Sequence, residues 1–250
     1  MRDRKLENAH GSGDLAQVND QLVRQIRRRS VRHDFEPLLT QSDHVRPTET
    51  VNVAGPRVFR GSRRDARRVF HLEAFIDACH EARRQAEPRR AVREEVARAL
   101  AEPGELAEAL RPTDGRVTLL HRRPDLTILH VVRPAQQRLH PHDHALWAVI
   151  GLYAGREEHT LYRRSSVQHR TITVAGGRRL VPGDVLVLGD DAIHAVANPG
   201  DGVAGAIHVY GGDLLDACRR QWWPGPFEER PYDFETARRQ FTAAGVTGRC

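Results

Sequence analysis

The 250-residue chain is long enough for one good-sized domain with extensions, and 39% of its residues are hydrophobic. Its longest apolar stretch, about Ala145 to Tyr153, is far shorter than the roughly 20 residues that span a bilayer. No apolar run follows the charged start, so neither a membrane span nor a secretory signal is expected. Three widely spaced cysteines, Cys79, Cys218 and Cys250, argue against a disulfide framework and indicate a reducing compartment, by default the cytoplasm.

The net charge of +6 is concentrated at the amino terminus. Residues 1–70 contain 15 arginines and lysines against nine acidic residues, so the remainder of the chain is neutral. Residues 1–52 are polar and poor in apolar side chains, and we predict a disordered basic arm there. Such arms can bind nucleic acid or anionic membranes, but the composition favours a solvated tail, and we expect neither partner. The use of arginine in place of lysine suggests a GC-rich bacterial genome.

Residues 53–112 are predicted to form a helical extension. Two apolar stripes recur at helical spacing, and they consist of Leu72, Phe75, Ile76 and Cys79, followed by Val92, Val96 and Leu100. Pro103 and Gly104 break the run, and Glu105 to Leu110 is predicted to form a short third helix.

After residue 112 the pattern changes to short β-type runs separated by turn residues. About eight runs are predicted: Val117–His121, Leu126–Val132, Ala145–Tyr153, His159–Arg163, Gln168–Val174, Val185–Leu188, Ile193–Ala197 and Val203–Tyr210. Many short strands with no helix between them predict a sandwich, jelly roll or barrel. We assign residues 113–231 to this unit and residues 232–250 to a C-terminal helix, from Asp233 to Ala244, and a tail.

Histidines supply the candidate metal site. His142 and His144 open the predicted run after Pro141, and residues i and i+2 of a strand point to the same face. His194 follows the Pro-Gly-Asp turn and could complete a three-point site from a neighbouring strand. His140 shares the face of the pair and could replace one member, whereas His159 and the other histidines are predicted to be structural or exposed. Imidazole suits iron, zinc, copper and nickel, so ligand type alone does not choose the metal.

A second group of polar side chains lies near the end of the last predicted strand. Ala206, His208 and Tyr210 alternate and therefore share a face. A tyrosine hydroxyl beside a metal can hydrogen-bond a bound oxygen species, and a neighbouring histidine can orient that hydroxyl. The alternative is an ordinary inward-facing pair in a barrel. Three neutral imidazoles would also leave the +2 charge of the ion uncompensated, which favours an anionic substrate such as a thiolate.

These segments resemble the motifs of a known family. Pro141 to Gly151, with the sequence PHDHALWAVIG, resembles the first metal motif of the thiol dioxygenases, the cysteine dioxygenase and 3-mercaptopropionate dioxygenase enzymes of the cupin superfamily. Ile193 to Pro199 resembles their third-ligand segment, and Ala206 to Gly212 resembles their Ser-X-His-X-Tyr segment. The resemblance implies a mainly β cupin fold, a double-stranded β-helix or jelly-roll barrel, here preceded by N-terminal α-helices.

The resemblance also implies the chemistry of the site. Iron(II) is expected on His142, His144 and His194, with the catalytic residues His208 and Tyr210 beside the oxygen site. The family adds both atoms of O2 to a thiolate and releases a sulfinic acid, so a small thiol and O2 are the expected partners. Two departures concern the tyrosine. Ala206 replaces the serine of the motif, and Val149 replaces the crosslinking cysteine of the animal enzymes, which leaves Tyr210 a free phenol.

The arginine that binds the substrate carboxylate is open. Mercaptopropionate-type enzymes place it shortly after the tyrosine motif, which matches Arg219, whereas cysteine-type enzymes place it before the first metal motif, where Arg116 or, less well, Arg122 could correspond. We favour Arg219, because a guanidinium group binds a carboxylate in bidentate fashion, although it is one of many arginines. Trp147 is a second candidate for substrate binding, and it is equally suited to the barrel core.

The leading prediction is therefore an iron(II)-dependent thiol dioxygenase for a small mercapto acid or a cysteine-like thiol. One alternative is other chemistry on the same metal, such as carbon–carbon dioxygenation or isomerisation. A further alternative is a cupin that binds a metal or a ligand without catalysis. The sequence specifies neither the thiol nor the oligomeric state.

Overall fold

A computed structural model describes residues 69–166, 170–223 and 227–243 of the chain. The arm predicted over residues 1–52 and the start of the predicted helical extension lie outside the described residues. Three helices come first and one comes last: α1 (Leu72–Arg83), α2 (Pro88–Ala99), α3 (Pro103–Leu110) and α4 (Phe234–Ala243). No helix in the described ranges is long and apolar enough to cross a membrane.

Between α3 and α4 the described residues form eleven strands. They are β1 (Arg116–Arg123), β2 (Leu126–Arg133), β3 (Arg138–His142), β4 (Ala148–Ala154), β5 (Glu157–Arg164), β6 (Ile172–Leu180), β7 (Val185–Leu188), β8 (Ile193–Ala197), β9 (Ala204–Tyr210), β10 (Arg220–Trp223) and β11 (Glu228–Pro231).

The strands form two antiparallel sheets. The first has the order β1-β2-β9-β4-β7, and the second has the order β11-β10-β3-β8-β5-β6. The chain alternates between them, since β2, β4, β7 and β9 of the first sheet are each followed by a strand of the second. Two facing antiparallel sheets joined by such crossings make a jelly-roll barrel. The predicted mainly β fold, a double-stranded β-helix or jelly-roll barrel preceded by helices, is confirmed.

The first sheet is covered on both faces. One face packs on α1, α2 and α3 and contributes Val149 and Val209 to what we call the helix-side cluster. The other face contributes Ile150 and Ala206 to the interior cluster, which also contains Leu180 from the second sheet. Every residue of β2 is buried, as expected of a strand covered on both sides.

The helices form where the apolar spacing predicts them. The stripe of α1 is buried at Leu72, Phe75, Ile76 and Cys79, and this burial raises the pKa of the Cys79 thiol to about 12. Pro88 and Pro103 stand in the first turns of α2 and α3, where the missing N–H costs no hydrogen bond.

The C-terminal helix α4 packs against the barrel beside Arg133 of β2. The Asp233 carboxylate accepts hydrogen bonds from the backbone N–H groups of Glu235 and Thr236, which caps the first turn. Further along, Phe241 joins the interior cluster, and the Arg133 guanidinium lies 5.2 Å from the centre of its ring.

Several predicted strands have different bounds in the structure. The run Ala145–Tyr153 does not begin at Ala145, whose φ of 53° lies in the left-handed region, and β4 starts at Ala148. β6 extends beyond Val174, the predicted end of its run, through Gly176 and Gly177 to Leu180. β3, β10 and β11 were not predicted, because they are only four or five residues long, and β3 and β11 also contain proline.

Gly151 tests the packing of the helices on β4. A Cβ at this position would lie 2.5 Å from Val96 Cγ1 and 2.7 Å from Leu100 Cδ1. We expect Gly151→Ala to lower the free energy of unfolding by about 1–3 kcal/mol through overpacking, as measured by urea denaturation. Gly202→Ala is the matched control, since no heavy atom lies within 4 Å of its added Cβ. Equal losses in both variants would contradict this packing.

Candidate metal centre

Three histidines converge at one end of the second sheet. His142 is the last residue of β3, His144 lies between β3 and β4, and His194 is on β8. The β3–β8 pairing makes His142 the cross-strand partner of His194. The ring centroids are 4.6 to 5.2 Å apart, and one nitrogen of each ring lies within 4.8 Å of the others. All three side chains are buried, so the structure brings together the three predicted ligands.

The physical reason for this convergence differs from the predicted one. His142 and His144 do not share a strand, because β3 ends at His142. The segment between them is held by β10 instead. The Asp143 N–H donates to the Arg220 carbonyl over 3.0 Å, and the Asp143 carboxylate accepts from the Arg220 N–H over 2.7 Å and from its Nε over 3.2 Å. This clasp fixes the turn that brings His144 back toward His142.

The hydrogen bonds of the rings determine which nitrogens face the centre. His142 Nδ1 lies 3.0 Å from the His140 carbonyl oxygen, which can only accept, so Nδ1 carries the proton and Nε2 is a free donor for a metal. His194 Nε2 and His144 Nε2 face each other at 3.4 Å. His144 Nδ1 has no hydrogen-bond partner among the described residues.

The electrostatics of the three rings fit a divalent cation. Burial lowers the pKa of each imidazole well below its usual value, with a further contribution from Arg219 at His142 and from His142 at His144 and His194. The rings are therefore neutral at pH 7, as metal binding requires. A cation would be bound by the Nε2 lone pairs of His144 and His194 once His144 carries its proton on Nδ1. The donor set of three imidazoles suits iron(II), zinc or another transition metal.

His140, the alternative ligand, lies outside this convergence. Its Nε2 is 2.7 Å from Gln221 Oε1, and its ring lies 5.0 Å from that of Trp223. The structure thus turns His140 toward β10.

Behind His194 lies a chain of polar side chains that was not predicted. His159 Nδ1 is 3.1 Å from His194 Nδ1, and His159 Nε2 is 3.1 Å from Glu157 Oε2. Glu157 Oε1 accepts from Arg133 Nε over 2.9 Å, and Arg133 Nη1 donates to Gln137 Oε1 over 2.7 Å. We call these residues the buried relay.

The relay is buried from solvent and contains an ion pair. The side chains of Glu157 and His159 are fully buried and that of Arg133 is 2% exposed. Burial alone would raise the pKa of Glu157, but the Arg133 charge and the His159 hydrogen bond outweigh it and hold this pKa far below its usual range. Of the two predictions for His159, structural or exposed, its burial rules out the second. Its i, i+2 spacing from Glu157 was the available signal.

His208 and Tyr210 lie beside the triad. Both are on β9, whose inward face also carries Ala206. The Tyr210 ring stands edge-on to His144 with centroids 5.0 Å apart, and its hydroxyl is 2.9 Å from His208 Nδ1. Burial raises the pKa of Tyr210 and lowers that of His208 to about 3, so both groups are neutral at pH 7.

Arg219 links the triad to a surface cleft. Its Nε donates to the Asp143 carbonyl over 3.1 Å, and its guanidinium lies 3.8 Å from the centre of the Tyr232 ring. Both residues line a cleft of about 750 Å³, and the Tyr232 ring is 5.8 Å from that of His142. Among the described residues, hydrogen bonds engage the Nε of Arg219 and leave its two terminal nitrogens for a ligand.

The other candidate arginines are engaged elsewhere. Arg116 pairs with Asp114 over 2.8 Å, and Arg122 pairs with Asp213 and Asp216 over 2.9 and 3.2 Å. Both arginine side chains are about 40% exposed to solvent, and neither is hydrogen-bonded or paired with a residue of the triad.

Trp147 is not brought to the triad either. Its side chain packs on the helix-side cluster, on the face of the first sheet opposite His208. Its ring lies directly over Gly211, where an added Cβ would be 1.9 Å from Trp147 Cε2. The structure therefore favours the barrel-packing interpretation of Trp147 over a contact with substrate.

Comparisons with known proteins find likeness among solved structures only. No protein-family model and no curated protein matches the sequence. Among solved structures, a cupin superfamily protein from Desulfitobacterium hafniense is 18% identical, over 43% of this chain and 88% of its own, with a TM-score of 0.34. An RmlC-like cupin from Methanocaldococcus jannaschii with a double-stranded β-helix fold is 15% identical, over 42% and 88%, with a TM-score of 0.34. Oxalate oxidase in complex with the substrate analogue glycolate is 13% identical, over 35% and 42%, with a TM-score of 0.30.

The buried neutral histidines predict a pH dependence of stability for the metal-free protein. Burial lowers the pKa of His130 to about 4 and that of His208 to about 3, whereas in the unfolded chain both titrate near 6.5. Between these values the unfolded state binds more protons, so the free energy of unfolding falls as the pH falls from 7 to 5. Each histidine contributes up to about 1.4 kcal/mol per pH unit.

Urea denaturation at a series of pH values measures this slope. His130→Gln should flatten it by about the contribution of one histidine between pH 6 and pH 5. A slope that does not change would show that His130 is not held neutral in the folded state.

Proposed function

We propose that this protein is an iron(II)-dependent thiol dioxygenase that converts a small mercapto acid or a cysteine-like thiol and O2 to a sulfinic acid. The observation that carries the proposal is the arrangement around the triad, with a neutral tyrosine–histidine pair on one side and an arginine-lined cleft on the other. Iron(II) on His142, His144 and His194 would supply the binding of thiolate and O2.

The cleft supports an acidic substrate. Arg219 offers two terminal nitrogens in the planar geometry that suits a carboxylate. Its Nε is tied to the backbone of Asp143, the residue between two of the proposed ligands, so a carboxylate bound at Arg219 is held next to the triad.

Charge balance supports a thiolate. The three imidazoles are neutral, and Arg219 adds a positive charge whose effect already lowers the pKa of His142, after the larger effect of burial. A substrate with a carboxylate and a thiol would bring one negative charge for the arginine and, when deprotonated, a second for the cation. The positive potential of the site favours that deprotonation.

Tyr210 is suited to donate a proton toward the centre. His208 Nε2 has no hydrogen-bond partner among the described residues, and a buried N–H without a partner costs more than a buried lone pair without one. The proton of His208 is therefore better placed on Nδ1, where the Tyr210 oxygen accepts it. This leaves the phenol proton of Tyr210 free to hydrogen-bond a ligand beside His144.

Ala206 is the observation that favours a second candidate function. It has no hydroxyl to reach His208, so the tyrosine–histidine pair ends there. Other metal-dependent chemistry in the same barrel, such as carbon–carbon dioxygenation or isomerisation, is therefore the alternative proposal. A metal-binding cupin without catalysis would gain nothing from a tyrosine over the metal. The cytoplasmic location and the expected lack of membrane or nucleic-acid partners stay predictions.

The decisive experiment offers iron-loaded protein a panel of thiols under measured O2 uptake. The panel contains 3-mercaptopropionate, cysteine and cysteamine, and mass spectrometry of the product should show a gain of two oxygen atoms. No O2 uptake with any thiol, in protein shown by elemental analysis to hold iron, would reject the thiol dioxygenase and favour the alternative chemistry.

Arg219→Gln tests the carboxylate site. We expect KM for 3-mercaptopropionate to rise at least about tenfold, because a charge-assisted bidentate contact is lost, while turnover of carboxylate-free cysteamine changes little. Arg122→Gln, which removes an arginine engaged with Asp213, is the control and should change neither. Equal losses on both thiols would contradict this role of Arg219.

His194→Ala and Tyr210→Phe separate metal binding from turnover. His194→Ala should lose most of the bound iron, whereas Tyr210→Phe should retain iron and lower kcat by about 10²-fold, the usual scale for a lost proton donor. Elemental analysis and steady-state O2 uptake measure the two effects. His140→Ala is the control for histidine removal, since His140 faces Gln221, and it should keep its iron.

A further inference from the structure

We propose that Glu157 and His159 are positioning residues that present His194 Nε2 to the metal and thereby set the metal affinity of the whole site. The inference rests on the proposed function through the metal centre alone and does not depend on the substrate. It assigns a role to the buried relay, whose members neither bind the metal directly nor line the cleft.

The donor and acceptor of each hydrogen bond between Arg133 and His194 follow from Arg133, at the end of the relay remote from the metal centre. The Arg133 guanidinium can only donate, so Glu157 Oε1 accepts. Glu157 Oε2 accepts from His159 Nε2–H, which leaves a lone pair on His159 Nδ1. His194 Nδ1–H donates to that lone pair. The remaining nitrogen of His194, Nε2, therefore has its lone pair directed at His144 and the centre.

The surrounding structure holds this sequence of bonds in place. β5 pairs with β8, and in this register Leu161 lies opposite His194 and His159 lies opposite Val196. The His159 and His194 rings are nearly parallel, with an angle of 8° between their planes and centroids 5.3 Å apart. With Glu157 and His159 fully buried, water cannot substitute for either partner.

Of the three proposed ligands, His194 has the most extensive hydrogen-bond network behind its ring. His142 donates to a neutral backbone carbonyl, and His144 Nδ1 has no partner among the described residues. His194 alone of the three leads through another imidazole to a carboxylate. A carboxylate behind a histidine ligand raises its basicity and fixes its orientation, and loss of such a partner typically weakens metal binding about 10–100-fold.

Glu157→Gln changes the direction of the relay with little change in volume. Arg133 and His159 donate to different oxygens of Glu157, and in glutamine one of these two acceptors becomes an NH2 donor. If its NH2 group faces His159, that ring must donate from Nδ1, and His194 must then carry its proton on Nε2, where it blocks the metal. His159→Phe removes the relay, and His159→Gln restores an acceptor for His194 Nδ1–H.

The experiment titrates metal-free protein with Co²⁺ and follows the d–d absorption bands, with competition by a chelator to obtain Kd. Glu157→Gln and His159→Phe should each raise Kd about 10–100-fold, and His159→Gln should recover most of the affinity. His130→Phe is the matched control, since His130 is a buried histidine bonded to Tyr153 outside the relay, and its Kd should stay within about twofold.

Thermal unfolding of the metal-free variants separates positioning from general stability. Folded Glu157→Gln and His159→Phe proteins with wild-type Kd would overturn the proposal, and so would an equal loss of affinity in His130→Phe. If His159→Phe does not fold, Glu157→Gln and His159→Gln still decide the question. Thiol oxidation with unchanged cobalt affinities would reject the relay alone, whereas altered affinities without thiol oxidation would reject the proposed function alone.

Discussion

The pairing of β3 with β8 is the interaction on which the centre depends. It places His142 opposite His194, and the Asp143–Arg220 clasp returns His144 to the same point. Two ring nitrogens then face each other at 3.4 Å in a buried, neutral environment. The sheet and the turn thus hold together a set of donor nitrogens that a cation would bind.

The barrel interior is divided between an aliphatic part and a polar part. Ile150, Ala206 and their neighbours supply the hydrophobic burial, while Arg133 and Glu157 place a full ion pair in the same interior. Desolvation offsets most of the attraction within such a pair, so it is weak as a stabilising element. Its evident effect is to orient His159, which no aliphatic replacement would do.

Sequence patterns predicted the layers of this fold and part of its chemistry. Helical spacing located the buried face of α1, and the three motif histidines come together as predicted, although through a turn and not along one strand. The relay was missed because Glu157 and His159 acquire meaning once β5 is known to lie beside β8, a pairing that no local pattern encodes. Trp147 was ambiguous because an aromatic residue suits either face of a sheet, and its alternation with Val149 places it under the helices.

The contact of α4 with the barrel has a consequence for the C-terminal end of the chain. The Phe241 ring covers the Arg133 guanidinium, and Arg133 begins the sequence of hydrogen bonds that ends at His194. Truncation of the chain or a bulky fusion that displaced α4 would admit water to Arg133 and Glu157. These two residues are at the end of the relay that is remote from the three histidines. Displacement of α4 would then weaken metal binding at the three histidines while the barrel stays folded.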